Sequence, residues 1–377
     1  MSNPYTFYGA ELSLYSGKLR AYLRFKGIPH VEVNPSFYTF NVTIKRRVGD
    51  AVIPVLLDPA GNWMQDTSEI IQLLEERFPE AAVIPLSPVQ AFAARLFELW
   101  GDEFWLPTAM HTRWSHRREN YPLFEHDATQ GFFPGWPRAV SGLIVRKGLA
   151  RMLIGFLPKL GIDARTAPLL DAWTEHQLDA LDRHFAAQPF LFGSRPSLGD
   201  LGLIGPLYAH LGRDPWPRQH LIEPRQHLHA WVQRMQHPVA RQGEFLAGDA
   251  LPETLMPMLR SIFDEMVPLL QSGILALRAA MPSLKAGKRL PRFLGKVDFP
   301  LHSGRWSQEL LPYTLWMAQR ILDQFRQLPD DDAARVRAWL EQAGGQAFLD
   351  LDIPRLRRMG LRAALEPATA NNSRNRP

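Results

Sequence analysis

The stretch from Tyr5 to Lys26 constrains this chain more than any other. Tyr5-Thr6-Phe7-Tyr8 is aromatic and β-favouring, which predicts a short strand. Leu19, Tyr22 and Leu23 recur at helical spacing, so Ser16 to Lys26 predicts an amphipathic helix. Gly27 suits the left-handed stop after it, and Ile28-Pro29 turns the chain away. Between strand and helix lie the hydroxyls of Ser13, Tyr15 and Ser16. A helix N-terminus there aims unsatisfied N–H groups and a partial positive charge at the loop, where an anion is stabilised. A thiolate in such a place has its pKa lowered from about 8.5. The serines also read as plain helix caps.

The chain has no cysteine, which excludes disulfides, thiolate zinc sites and a protein-borne redox thiol. Any sulfur chemistry at that helix must therefore use sulfur carried by a ligand. The 377 residues suffice for two or three domains with cores of their own. No apolar run reaches the roughly 20 residues needed to span a bilayer. The nearest, Ala139 to Ile162, is broken by Arg146, Lys147, Arg151 and Lys159. The N-terminus shows no charged-then-apolar leader, so a cytoplasmic location is expected. A formal charge of only +5 argues against a nucleic-acid partner and suits a cleft for a small acidic ligand. His220, His227, His229 and His237 do not make a metal site, because His227 and His229 diverge on a helix. No metal is expected.

Further along, His30 to Val33 alternates as a second strand, and residues 34–50 are irregular with Lys45, Arg46 and Arg47 together. Ile53-Pro54 leads into a strand at Val55 to Asp58, Pro59 to Asn62 is a turn, and Trp63-Met64 begins the return strand. Asp66, Thr67 or Ser68 can cap the next helix, whose buried face is Ile70, Ile71, Leu74 and Phe78.

Tyr8-Gly9, Ser13 and the Lys18-Leu19-Arg20 run resemble the start of a cytosolic glutathione transferase of the serine type; Leu14 departs from the proline common there. The resemblance implies that the Ser13 hydroxyl donates to the sulfur of bound glutathione, with Tyr8, Tyr15 and Ser16 as rivals. It implies a cis bond before Pro54, Ile53 backbone pairing with the cysteinyl part, and Thr67 and Asp66 on the γ-glutamyl end. One of the cations, Lys45, is expected on the glycine carboxylate.

From Val89 the chain reads as helical for most of the next 160 residues. One helix is expected over Val89 to Thr112, kinked or interrupted at Pro107; its aromatics read as core, while the resemblance implies that it walls the site of an electrophilic co-substrate, with Trp105, His111 and Trp114 as pocket candidates. Glu119 to Arg138 reads as a long aromatic loop. Ser197 with Asp200 is a capping box that opens a buried helix, and it resembles the folding element of the same family's helical domain. Beyond residue 250, Leu255 to Met281 and Trp306 to Leu328 read as helices, and Asp330-Asp331-Asp332 starts another. Lys285, Lys288, Arg289, Arg292 and Lys296, then Arg355, Arg357, Arg358 and Arg362, read as solvated basic segments.

The expected architecture is thus a thioredoxin-like α/β domain at 1–80, a linker at 81–88 and an all-α domain at 89–249. A helical extension follows at 250–366, then a disordered tail at 367–377. The resemblance implies a transferase in which glutathione thiolate attacks a small hydrophobic electrophile, in a homodimer. The alternatives are a non-catalytic binding or assembly module and a glutathione-dependent isomerase or lyase.

Overall fold

The computed structural model describes residues 4–367. Strand β1 (Tyr5–Tyr8) runs into helix α1 (Leu14–Lys26), then β2 (His30–Val33), β3 (Val55–Leu57), β4 (Trp63–Gln65) and α2 (Thr67–Arg77). The sheet order is β2-β1-β3-β4, with β1 and β2 parallel and the other pairs antiparallel. Phe7 sits opposite Leu56, and both are fully buried against α1 and α2. This is the thioredoxin-like topology expected of the first eighty residues. Ser13 caps α1, its Oγ accepting the Ser16 N–H at 3.3 Å. Gly27 ends α1 at φ 60°, the left-handed conformation that glycine adopts without a Cβ penalty.

The helical half begins with α3 (Pro88–Leu99), which widens at Trp100–Phe104 before α4 (Leu106–Ser115). The interruption expected at Pro107 thus falls earlier, and Pro107 instead lies in the first turn of α4, where its missing N–H has no intrahelical partner to lose. A correction concerns Glu119 to Arg138: most of it is helix α5 (Arg117–Phe132), not a loop. Pro122 lies inside that helix, and packing such as Phe124 against Trp114 at 4.9 Å overrides its turn signal. Helices α6 (Ala167–Ala187), α7 (Leu198–Pro206) and α8 (Gln226–Gln236) complete this half.

The capping box opens α7 as the sequence predicts, Asp200 accepting from the Ser197 N–H at 2.9 Å. Asp200 also accepts from the Leu191 N–H and from the Trp231 indole, at 3.1 and 3.0 Å, so the box ties α7 to α8. Helix α7 crosses the end of α3 at backbone contact. A Cβ added to Gly101 would lie 2.5 Å from the Gly202 carbonyl carbon, and one added to Gly202 would lie 2.7 Å from the Glu98 Cα. That close approach helps hold the α3 segment carrying Glu98 and Asp102 in place beside α1.

The extension adds helices α9 (Val267–Ala280), α10 (Pro312–Arg326) and α11 (Asp330–Ala343). It also holds two β-hairpins that the helical reading did not anticipate: β5 (Lys296–Leu301) with β6 (Gly304–Glu309), and β7 (Leu356–Met359) with β8 (Arg362–Leu365). Trp306, expected to open a helix, lies on β6 opposite Phe299, and α10 starts only at Pro312. Val297, Phe299 and Leu301 alternate with Lys296, Asp298 and Pro300, the period of a half-buried strand. The extension is not a separate body. Phe92 of α3 meets Phe325, Trp339 and Phe348 at 5.9, 6.2 and 5.9 Å, and one apolar core runs from β1 to β8. The expected disordered tail lies, except for Pro367, outside the described residues. Among those residues no helix is long and apolar enough to cross a membrane.

Candidate functional site

A cavity of about 220 Å³ opens where the first domain, the α3–α4 turn and the extension meet. From the first domain come Tyr15 in the first turn of α1, Ile53 and Pro54 before β3, and Gln65 to Ser68 around the start of α2. The Ile53–Pro54 peptide is cis, as the resemblance implied. Ile53 lies before the strand and makes no hydrogen bond through its backbone N–H or C=O. Thr67 is the first residue of α2, and neither its N–H nor its hydroxyl is engaged. Orphan groups of this kind at a helix start suit a carboxylate. Asp66 caps the helix, accepting the N–H groups of Ser68 and Glu69 at 3.1 and 3.2 Å.

The floor is acidic. Lys18, fully buried, donates to Glu98 at 2.7 Å, to Asp102 at 2.5 Å and to the Ser68 hydroxyl at 3.1 Å. Burial works against all three charges, and one ammonium serves two carboxylates. Lys18, assisted by Arg320 and hydrogen bonds, holds Glu98 below its usual range. For Asp102 burial prevails and pushes the carboxyl up to about 7. Its Oδ1 is buried without a hydrogen-bond partner, which adds to the cost of the ionised form. Burial, with Asp102 and Asp66 adding to it, also pushes Glu103 up to about 8, against the hydrogen bond from Thr314 at 2.6 Å. Tyr15 donates to the Asp102 carbonyl at 3.2 Å, and burial followed by Glu103 and Asp102 pushes its phenol well above the usual range. Tyr15 is therefore a proton-holding donor at neutral pH.

The roof belongs to the extension. Tyr313 donates to Asp66 and Arg358 reaches Gln65 and Glu69. Arg289 pairs with Asp50 at 2.8 Å, and the Leu361 N–H donates to the same carboxylate at 3.0 Å. Arg292 and Arg362 line the cavity mouth and have no carboxylate partner. The two basic segments read as merely solvated thus seal and line the site. Each lies far in sequence from its acidic partner, so no local pattern carries the pairing.

The expected site residues divide. Ile53, Pro54, Asp66, Thr67 and the rival hydroxyl Tyr15 meet in the cavity, while Ser13 does not line it; its Oγ accepts the Ser16 N–H in capping α1. Ser16 is fully buried and accepts the Ala10 N–H at 3.2 Å; Tyr8 stacks on Trp63 at 5.3 Å. Lys45 is exposed on a short helix, Lys45–Val48, away from the cavity. Trp105 packs on Trp173 at 5.0 Å, Trp114 on Phe124, and His111 pairs with Asp171 at 2.9 Å. These three face the interior of the helical half, because α4 presents only its first residue, Leu106, to the cavity. Sequence reasoning missed Asp102, Glu103, Arg292, Tyr313 and Arg362. Two adjacent acids between Trp100 and Phe104 were the one available signal. Among the described residues no group of three or more His, Asp or Glu side chains is placed to hold a metal ion.

A thioredoxin-like domain with a cis-proline beside a helix start, followed by an all-α domain, defines a two-domain protein of the glutathione-transferase type. The family comparisons agree. Residues 7–82 match the glutathione S-transferase N-terminal domain and residues 174–234 the C-terminal domain. The chain thus carries glutathione S-transferase N- and C-terminal domains over those residues, with further helices beyond them.

Solved structures with similarity include a glutathione S-transferase from Methylobacterium radiotolerans in complex with glutathione sulfonate. It is 21% identical over 63% of this chain and 92% of its own, with a TM-score of 0.39. The β-etherase LigF from Sphingobium sp. strain SYK-6 is 18% identical over 62% and 95%, with a TM-score of 0.41. FzlA from C. crescentus is 18% identical over 67% and 97%, with a TM-score of 0.40. No curated protein matches the sequence.

Proposed function

We propose that the chain is a glutathione-dependent transferase working in this roofed cavity. The observation that carries the reading is the meeting of unpaired groups on one wall: the Ile53 backbone, the Thr67 N–H and the Thr67 hydroxyl. In it, Thr67 and the start of α2 take the γ-glutamyl carboxylate, Asp66 its ammonium, and Ile53 the cysteinyl backbone. Arg292 and Arg362, rather than Lys45, take the glycine carboxylate. Binding displaces the Tyr313 hydroxyl from Asp66, since both donors need the same carboxylate.

Tyr15, not Ser13, then donates to the sulfur. Glu103, a carboxylic acid up to about pH 8, is the proton carrier. The thiolate attacks the electrophilic carbon, the bond to the leaving group breaks, and that group departs with the electron pair and takes the Glu103 proton. The thiol of the next glutathione returns a proton to the carboxylate, so glutathione and R–X give the conjugate and HX.

Titration calorimetry tests the binding step. Wild type should bind glutathione, and Thr67→Val should bind it roughly tenfold or more weakly, the worth of a hydrogen bond to a charged group. No heat with millimolar glutathione would sink the reading and favour a binding or assembly module. Glu103 as an acid equally suits a lyase or isomerase that regenerates glutathione. A conjugate that accumulates stoichiometrically separates the transferase from that second reading.

A further inference from the structure

Away from the cavity, the segment 136–152 carries a surface that neither the fold nor the proposed reaction uses. We propose that it docks the chain peripherally onto an anionic lipid surface. Its backbone is near-continuous helix: Arg138–Val145, a wider turn at Arg146–Ala150, then Arg151–Ile154. Trp136, Val140, Leu143, Ile144 and Met152 are exposed at 53, 47, 42, 39 and 52%. Exposed Phe37 stacks on Phe133 at 5.6 Å, and Phe133 meets Trp136 at 5.4 Å, so the apolar surface continues onto the first domain. A cluster of this kind is unusual on a chain with no partner for it.

Charge selects the partner. No Asp or Glu occurs from residue 138 to 162, while Arg138, Arg146, Lys147, Arg151 and Lys159 do. Those five cations equal the formal +5 of the whole chain, so the remainder is balanced. Lys159 pairs with Glu309 at 3.4 Å, and the other four are exposed with no carboxylate partner. Glu125, whose carboxylate lies beside Gly142, accepts from Tyr121 at 3.1 Å. A second copy on a two-fold axis would set these cations against themselves, which disfavours a dimer through this face. Anionic headgroups match the cations while the apolar side chains enter the acyl boundary, the arrangement of an interfacial amphipathic helix.

Vesicle co-sedimentation of the full chain tests this, with phosphatidylcholine alone and with phosphatidylcholine mixed with phosphatidylglycerol. The expected result is binding to the mixed vesicles only, weakening as salt rises. Arg146→Gln with Lys147→Gln should weaken it roughly 20- to 30-fold, from the usual worth of two cations at an anionic surface. Leu143→Ser with Ile144→Ser should also weaken it, with circular dichroism unchanged because these side chains face solvent. Failure of wild type to sediment with mixed vesicles at low salt overturns the proposal, as does binding that neither pair of substitutions affects. A wild-type dimer in light scattering that the Leu143/Ile144 pair converts to monomer overturns it too, and assigns the face to a second copy.

Discussion

Replacing Lys18 by methionine probes the part of the site that the first motif builds. Methionine is close to lysine in volume, so the change removes charge and leaves packing nearly intact. The fully buried ammonium donates to Ser68, Glu98 and Asp102, and its loss strands two carboxylates beside each other. Breaking a buried ion pair from one side costs about 3–5 kcal/mol, because the remaining charge stays in a poorly polarisable interior. Urea denaturation followed by circular dichroism should show that loss at neutral pH. The double variant Lys18→Met with Glu98→Gln should recover to within about 1–2 kcal/mol of wild type. Asp102, already pushed up to about 7, then accommodates burial by keeping its proton. The sign of the pH dependence follows. Without the ammonium both carboxyls have folded pKa values above their unfolded ones, so the single variant gains stability relative to wild type as pH falls through them. A single variant losing under about 1 kcal/mol, or a deficit independent of pH, would refute the argument.

Ser197→Ala should cost about 1 kcal/mol by removing the cap of α7, and thermal melts indistinguishable from wild type would contradict that. Glu103 has a folded pKa of about 8, raised from the ordinary carboxyl range. Its contribution to stability is complete below the unfolded value near 4.3 and lost as pH rises through about 8. Glu103→Gln should flatten that decline in urea midpoints measured across the range; an unchanged slope would clear Glu103 of the role. Tyr313→Phe frees Asp66 and should tighten glutathione binding roughly tenfold, the worth of a hydrogen bond to a charged group. Weaker binding in calorimetry would show that Tyr313 helps hold the ligand instead of competing with it.

What the sequence determined by itself is local. Alternation and helical spacing give β1, α1 and α2, and Gly27 ends α1. Ser197 and Asp200 cap α7 because the two side chains and their backbone N–H groups lie within one turn. Ile53, Pro54, Asp66 and Thr67 entered as site residues through the family resemblance, and each sits at a strand start or a helix start. Which hydroxyl faces the cavity was not legible. Ser13 is the cap and Tyr15 lies two residues on in the first turn, and only the packing of α1 on α7 and the α3–α4 turn aims one of them inward. The roof was equally invisible. Arg289 with Asp50, Arg358 with Glu69 and Tyr313 with Asp66 join residues more than two hundred positions apart, and a basic run with no acid nearby reads as solvated until the fold brings one to it. Local sequence sets what each backbone segment can become. Burial and long-range charge pairing, which exist only after folding, decided which of those segments close over the site.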